Sequence, residues 1–592
     1  MALTAEERAQ QQKQAEELLF SGPQTLGFAK GLFFGHFNAP LIFPYPEIKP
    51  QERAEVEQAV ALVRRFADEH IDAAAIDRDA DIPADVIAGL GRLGVLGMTA
   101  PREYGGRAFS QLGYCRIMEV IGGHCSSTAV FVNAHQSIGI RALLLFGTQE
   151  QKRRWLPPLC SGQQLAAFAL TEPEAGSDAA NVQTTAMPNL SGKTYVLNGQ
   201  KRYITNGAIA QVLTVMARTP VSGSDETRVT AFLVTPDMPG FEVVEARMPK
   251  CGIRGTATAR LAFHDMAVPA ENVLGKLGKG LRVALTVLDF GRTTFGASCT
   301  GAAKTCLKAA TQHARTRKQF KQTLGEFELV KKKIAYMAAH TFAMEATTSQ
   351  CAGFIDRGAE DYMLETAMLK VFSTEALWVM VNDTIQIFGG QAYFSNEPYE
   401  RMMRDARINQ IGEGANDVLR AFIALVGMRG VGEQLKGVLG AFHHPVKERA
   451  SLWKFVSSQV GSRLGLTAPE VPVRNPSLQA EARALGKRVR DFGVAVMDVL
   501  RQHREAVLER QYVQERIADA ACDLYASSCT LSRLDHLLSG GNHAPAETNP
   551  DVVAGRYFLR LADRRIRQNL ATLGDNDDPQ TTAAANAVLE RS

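Results

Sequence analysis

Five short segments carry residue types that can do chemistry. Glu413 is a carboxylate between Gly412 and Gly414, just ahead of Asn416 and Asp417, an Asn/Asp start to an apolar helix. The flanking glycines allow unusual dihedrals and leave room for a small molecule beside a proton-transferring group. Leu170 to Asp178 (LTEPEAGSD) offers hydroxyls, a glycine and backbone N–H groups suited to a phosphate or the edge of a polar ring. In Lys201 to Gly207 (KRYITNG), strand geometry puts Tyr203 and Thr205 on one face, where they could flank a planar group. Phe290-Gly291-Arg292 is followed one long helix later by Arg315 to Phe320 (RTRKQF), and arginine suits bidentate contacts to phosphate or carboxylate. Gln386 to Tyr393 (QIFGGQAY) pairs Gly389 with Gly390 at a helix end, allowing close backbone approach by a ligand. Taken singly, each has an ordinary reading: a surface Glu before a helix, a surface loop, a strand closed by an Asn-Gly turn, a solvated basic face, a C-cap. They become informative only in combination.

The elements that must position these segments are readable from pattern. Residues 1–50 are a polar helix followed by an aromatic, Gly- and Pro-rich stretch, which reads as an extended arm on an apolar surface, not a helix. From 51 to 165 the pattern is helical, with Val56, Ala59, Val60, Val63 and Phe66 on one face. From 166 to 278 short β-rich runs broken by Gly, Pro, Asn and Asp predict an antiparallel sheet domain. Long helical patterns resume over 279–428, and a further helical region fills 429–592. The expected fold class is mainly α with a central β domain.

Composition narrows the function. Among 592 residues, Lys+Arg 66 against Asp+Glu 62 leaves a net charge of +4, too balanced for a chain built mainly to hold nucleic acid. Nine cysteines without a CxxC pair point to a reduced, intracellular compartment. There is no H-E-x-x-H, no Walker A sequence and no G-x-G-x-x-G after a strand, so no metal site or Rossmann fold is expected. No run of 18 or more apolar residues stands out as a membrane span, and the charged N-terminus lacks a secretory h-region. The expected location is cytoplasmic, with peripheral contact at the inner membrane face left open.

In this order and spacing, the five segments resemble the acyl-CoA dehydrogenase family, at motif level over roughly 50–428. Phe43-Pro44-Tyr45-Pro46, AHQSIGI at 134–140, LLFGT at 144–148, the helical region after 429 and its LERQYVQERIADAACDLYA stretch are similar to the very-long-chain branch. The resemblance implies four units: a helical domain, a sheet domain, a four-helix-bundle domain and an extra helical tail. It also implies FAD and an oxidoreductase acting on a CH–CH bond, which turns acyl-CoA into trans-2-enoyl-CoA in β-oxidation. Glu413 would take the pro-R α-proton while the β-hydride goes to flavin N5. The thioester carbonyl would meet the base's own N–H and a flavin ribityl hydroxyl. By the same resemblance Phe168, Leu170, Thr171, Gly176, Ser177, Tyr203 and Thr205 face the flavin. Asn416 and Asp417 touch it near the base. Arg317 and Phe320 reach the FAD of a neighbouring subunit, and Gln386, Gly389 and Gly390 clamp its diphosphate. Ser177, Asp289, Arg292 and Gly414 contact the substrate. A shared FAD site implies a homodimer, and electron-transferring flavoprotein is the implied acceptor.

Four positions depart from the family pattern. Tyr203 stands for the usual Trp, Gly412 for an aromatic residue, Ala415 for Thr and Ala392 for Gly. Gly412 suggests altered substrate shape or higher oxygen reactivity. Gly412 thus keeps an acyl-CoA oxidase as one rival expectation; the resemblance to the branch, which includes an assembly factor, gives a non-catalytic assembly flavoprotein as another, and the presence of Glu413 favours an enzyme over the latter. In 446–466, Leu452, Val456, Val460 and Leu464 repeat every fourth residue, flanked by Lys447, Arg449, Lys454, Arg463 and the aromatic Trp453 and Phe455. This segment reads either as an in-plane membrane helix or as a helix packed on its neighbour.

Overall fold

A computed structural model describes residues 26–220, 226–442, 468–540 and 548–590. The N-terminal polar stretch and the 446–466 segment lie outside the described residues. Pro50–His70 opens the first helical layer; Pro50 presets its first turn, and Val56, Ala59, Val63 and Ala67 form its buried face. Gln111–His124 follows, capped by the Ser110 side chain, and Gln149–Ser161 begins with a Thr148/Gln151 capping box.

The helical run Ser126–Phe146 is long and apolar enough to cross a bilayer, which corrects the expectation that none would be. Two-thirds of its most apolar window (67%) is buried inside the fold, as in a core helix. Its middle, Asn133–Ile140, is π-helical, a geometry that re-aims side chains and recurs at functional sites.

The central sheet has eight strands: β1 (Ala166–Ala169), β2 (Thr185–Pro188), β3 (Thr194–Thr205), β4 (Val212–Pro220), β5 (Thr227–Val234), β6 (Phe241–Glu245), β7 (Thr258–Pro269) and β8 (Val273–Leu274). The order is β6-β7-β3-β2-β4-β5-β8, with β1 beside β4. Most pairs are antiparallel as expected, but β1 and β2 meet β4 in parallel. A bulge between Lys201 and Ile204 interrupts the β3–β7 ladder and throws Tyr203 into the left-handed region at φ +61°. Strict alternation therefore does not carry from Lys201 to Thr205.

Four long helices follow: Gly280–Thr316, Glu328–Asp356, Met363–Phe388 and Asn416–Phe442. The tail adds Gln479–His503, Gln511–Ser539, Pro550–Ala571 and Asp578–Leu589. The N-terminal arm wedges between bundle and tail. It contains two short helices, Phe28–Phe33 and Ala39–Ile42, where an extended path was expected. Gly27 N–H bonds to the Asp361 carboxylate and Ala29 N–H to that of Glu365, which gives the first turn the partners a lone short helix lacks. Phe28, Leu32 and Phe33 are fully buried there, and the Phe33 and Phe492 rings lie 5.1 Å apart. Each such ring contributes about 1.5–3 kcal/mol by burial. Arg533–Glu345 (2.9 Å), Arg116–Glu345 (3.2 Å) and Lys304–Glu119 (2.7 Å) tie the tail, the first layer and the bundle together.

Candidate active site

Glu413 sits in the turn between Tyr399–Asn409 and Asn416–Phe442. Its φ is +56°, a strained value for a residue with a β-carbon, and Gly414 follows at +98°. The turn is held there by a buried cation. Lys370, on Met363–Phe388, donates to the Gly414 carbonyl at 2.7 Å and to Asn416 Oδ1 at 2.8 Å. From Gly280–Thr316, Arg292 Nε reaches the Glu413 carbonyl at 3.4 Å while Nη1 contacts Asp289 at 3.3 Å. Thr366 donates to the same Asp289 carboxylate at 2.9 Å.

The carboxylate itself is asymmetric. Oε1 accepts from Asn133 Nδ2 at 2.7 Å. Oε2 is shut off from solvent and has no hydrogen-bond partner among the described residues. Burial pushes Glu413 up to about 7, with Arg292, Lys370 and the Asn133 amide pulling the other way. Burial likewise pushes Asp289 up to about 6 and Lys370 down to about 8. A carboxylate near neutrality, with one oxygen held and one uncapped, is built to take a proton from a weak carbon acid.

The loop Leu170–Asp178 rests on a second buried ion pair. Lys201 Nζ lies 2.6 Å from Glu172 Oε1 and donates to the Leu170 carbonyl at 3.1 Å. Glu172 also accepts the Thr184 N–H at 3.1 Å. Arg202 N–H donates to the Thr171 carbonyl at 2.9 Å, so this loop and the Tyr203 bulge form one ledge. Phe168, Leu170, Thr171 and Thr205 are half-buried on it; Gly176, Ser177 and Tyr203 are exposed, Tyr203 at 55%. The π-helical segment bridges base and ledge: Asn133 meets Glu413, and two residues on, His135 Nδ1 accepts the Ala166 N–H of β1 at 2.9 Å.

The remaining expected cofactor residues lie elsewhere. Arg317 and Phe320 are exposed on a hairpin (Lys318–Gln319 with Gln322–Thr323) whose tip residues Phe320 and Lys321 both have positive φ. Gln386, Gly389 and Gly390 are exposed at the end of Met363–Phe388. A stack of His313 on Phe388, centroids 4.1 Å apart, joins these two sites. On one straight helix Lys370 and Phe388 are roughly 27 Å apart at 1.5 Å per residue, so this set is remote from the Glu413 turn.

Asn416 has side-chain partners that the sequence did not show. Its side chain is spent inside the chain: Oδ1 accepts from Lys370, and Nδ2 donates to Thr374 at 3.0 Å and Glu375 at 2.8 Å. It anchors the turn. Asp417 is exposed in the first turn of its helix, 3.5 Å from Arg420. Sequence reasoning assigned no role to Lys370 or Asn133, and used Lys201 and Glu172 only as motif letters. The one available signal was the polar string Asn133 to Ser137 inside an apolar helix.

Comparison with known proteins decides what this arrangement is. The acyl-CoA dehydrogenase N-terminal domain matches residues 53–163, the middle domain 167–266 and the C-terminal domain 278–427. The chain belongs to the acyl-CoA dehydrogenase family. Residues 476–591 match the ACAD9/ACADV C-terminal domain. The very long-chain specific acyl-CoA dehydrogenase of Rattus norvegicus mitochondria is 35% identical over 94% of this chain and 86% of its own length. An acyl-CoA dehydrogenase from Bacillus anthracis, solved in complex with FAD, is 28% identical with a TM-score of 0.77 and covers 91% of both chains. Butyryl-CoA dehydrogenase from Megasphaera elsdenii, at 32% identity and TM-score 0.60, covers 63% of this chain and 98% of its own.

Acyl-CoA dehydrogenases are flavoproteins that use FAD in fatty acid β-oxidation. This acyl-CoA dehydrogenase offers residues that fit the cofactor. A β-carbon built at Gly176, Gly389 or Gly390 meets no heavy atom of the described residues within 4 Å, which leaves the backbone there open to close approach. Tyr203 projects from the ledge rather than packing into the core.

Proposed function

We propose that this acyl-CoA dehydrogenase acts on long or very long saturated acyl-CoA, forming trans-2-enoyl-CoA with Glu413 as the base. The observation that carries the reading is the uncapped, solvent-shielded Oε2 of a carboxylate held near neutrality. An α-proton of a thioester is weakly acidic, and its removal needs a poised carboxylate in a dry site. Arg292 and Lys370 fix the carbonyls of Glu413 and Gly414, the backbone that carries that carboxylate. FAD, when bound, supplies the acceptor for the β-hydride. Phe168, Leu170, Thr171, Gly176, Ser177, Tyr203 and Thr205 would hold it on the ledge. Arg317, Phe320, Gln386, Gly389 and Gly390 are too far from the base in one chain, and we assign them to the FAD of a partner in a homodimer.

Similarity to the very long-chain relative over 94% of the chain supports the chain-length assignment. Electron-transferring flavoprotein as acceptor, a cytoplasmic location and membrane contact through 446–466 belong to the same proposal. An oxidase-like variant of the reaction is favoured by one observation: a β-carbon at Gly412 meets only the Ile408 carbonyl, at 3.6 Å. Anaerobic titration of the holoenzyme with saturated acyl-CoAs of increasing length tests the reading. Flavin bleaching that strengthens from C4 to C16 or beyond is expected. No bleaching with any straight-chain thioester would sink it.

A further inference from the structure

A line of buried polar side chains ends on Glu413. Tyr114 OH lies 2.9 Å from Ser137 Oγ, Ser137 Oγ lies 2.9 Å from Thr294 Oγ1, Thr294 Oγ1 bonds to Asn133 Oδ1, and Asn133 Nδ2 donates to Glu413 Oε1. All four residues before Glu413 are at most 3% exposed. The proton positions along this line follow from the acceptors at its Glu413 end. An ionised carboxylate only accepts, so the Asn133 NH₂ must face it. The amide oxygen also only accepts, and it is nearer to Thr294 Oγ1 than the Phe290 and Gly291 carbonyls at 3.2 and 3.1 Å, so Thr294 donates to it. Each hydroxyl has one hydrogen, so Ser137 donates to Thr294 and Tyr114 donates to Ser137. Every donor points toward Glu413, and bonds aligned in this way polarise one another.

We infer that Asn133 is a positioning residue that pins Oε1 of the base and leaves Oε2 as the atom that receives the substrate's α-proton. The inference rests on the reading of Glu413 as the base. Oε1 is satisfied by Asn133 whether the acid is charged or neutral, because the carbonyl oxygen of a protonated carboxyl still accepts. Oε2 is kept uncapped by Gly291, where any side chain would begin 3.0 Å from it. The line is a fixed polariser and not a proton wire, since a side-chain amide does not hand a proton on. The proton taken by Oε2 therefore stays on Glu413 during the chemical step. Asn133 and Thr294 face each other from the π-helical segment and the Gly280–Thr316 helix, so the wide turn of the former has a stated use.

The titratable groups around the carboxylate are Arg292, with Asp289 behind it, and Cys299 on Gly280–Thr316, and Lys370 on Met363–Phe388. Replacing Asn133 touches none of them. Losing a charge-assisted donor destabilises the carboxylate and raises its pKa, so the base is charged only at higher pH. The test is the pH profile of anaerobic flavin reduction by hexadecanoyl-CoA in FAD-loaded variants. Asn133→Ala should move the acid limb up by about one pH unit, an approximately tenfold loss below the limb, with a smaller change on the alkaline plateau. Thr294→Val, nearly isosteric, should move it the same way by less, and Thr294→Ser should bring it back. If Asn133→Ala does not hold FAD, the Thr294 pair alone decides. A limb that stays put or moves down, with a uniform fall in rate, overturns the inference. The base reading fails separately: Glu413→Gln would then still reduce the flavin. A dead Glu413→Gln beside an unmoved limb in Asn133→Ala sinks only the role of Asn133.

Discussion

The turn that carries Glu413 and the hairpin that carries Phe320 are built in opposite ways. In the turn, strain at φ +56° is held by Lys370, Arg292, Asn133 and Asn416, all from the same chain and mostly buried. In the hairpin, φ is also positive, but Phe320 is 88% exposed, and Tyr393 and Phe394 nearby in sequence to Gly390 are exposed too. Exposed aromatics of this size are what the proposed contact with a second subunit would cover. In the proposed reading the contrast separates two jobs: one chain completes the proton-transfer site by itself, while the outward set serves a neighbour. The tail domain sides with the turn. Arg420, four residues after Asn416, bonds to Asp519 of Gln511–Ser539 at 2.8 Å and so braces the base's helix from behind.

The contrast can be broken at its strongest point first. Lys201→Met leaves Glu172 buried without its cation, which costs about 3–5 kcal/mol in a denaturant titration and releases the 170–178 loop from its anchor. The double variant with Glu172→Gln should recover much of that loss. If Lys201→Met unfolds like the native chain, the ledge is not built on this pair. A smaller effect is expected on the outward side. Phe320→Asp should weaken FAD retention and self-association by roughly 10- to 100-fold, the worth of one buried aromatic ring, without moving the acid limb of Glu413. Native FAD affinity and assembly state in that variant would remove the division of labour. The smallest effect concerns Gly412. Gly412→Tyr fits without overlap at its β-carbon and should lower oxygen-driven flavin reoxidation several-fold, read by stopped flow; an unchanged rate would show that the glycine does not admit oxygen.

The pH dependence has a definite sign. Burial raises Glu413 to about 7, and in the proposed reaction it works as the anion. Flavin reduction should therefore rise with pH through the neutral range and level off above it. The same shift means that the folded chain holds a proton on Glu413 between its ordinary carboxylate range and about 7. Over that window this group's contribution to stability falls as pH rises.

Much of this was legible in the sequence, for physical reasons that also mark where legibility stops. Gly412-Glu413-Gly414 ahead of Asn416 announced a turn with unusual dihedrals, because glycine spacing acts locally. The strain falling on Glu413 itself did not show, since it is imposed by Lys370 from another helix. Tyr203 and Thr205 were placed by alternation, and the bulge at Lys201–Ile204 cancelled that argument. The Gly- and Pro-rich arm hid two short helices, because its propensity is poor and Asp361, Glu365 and the tail's aromatic rings supply what propensity lacks. The partners of Asn416, namely Lys370, Thr374 and Glu375, did not show because they lie on another helix. Asn133 escaped notice because its partner is 280 residues away.

The most direct test mixes FAD-loaded native enzyme and Glu413→Gln with hexadecanoyl-CoA under anaerobic, single-turnover conditions and follows the flavin absorbance. The account predicts that the glutamine variant still binds the thioester but reduces its flavin at least about 10³-fold more slowly. Reduction within tenfold of the native rate would contradict it.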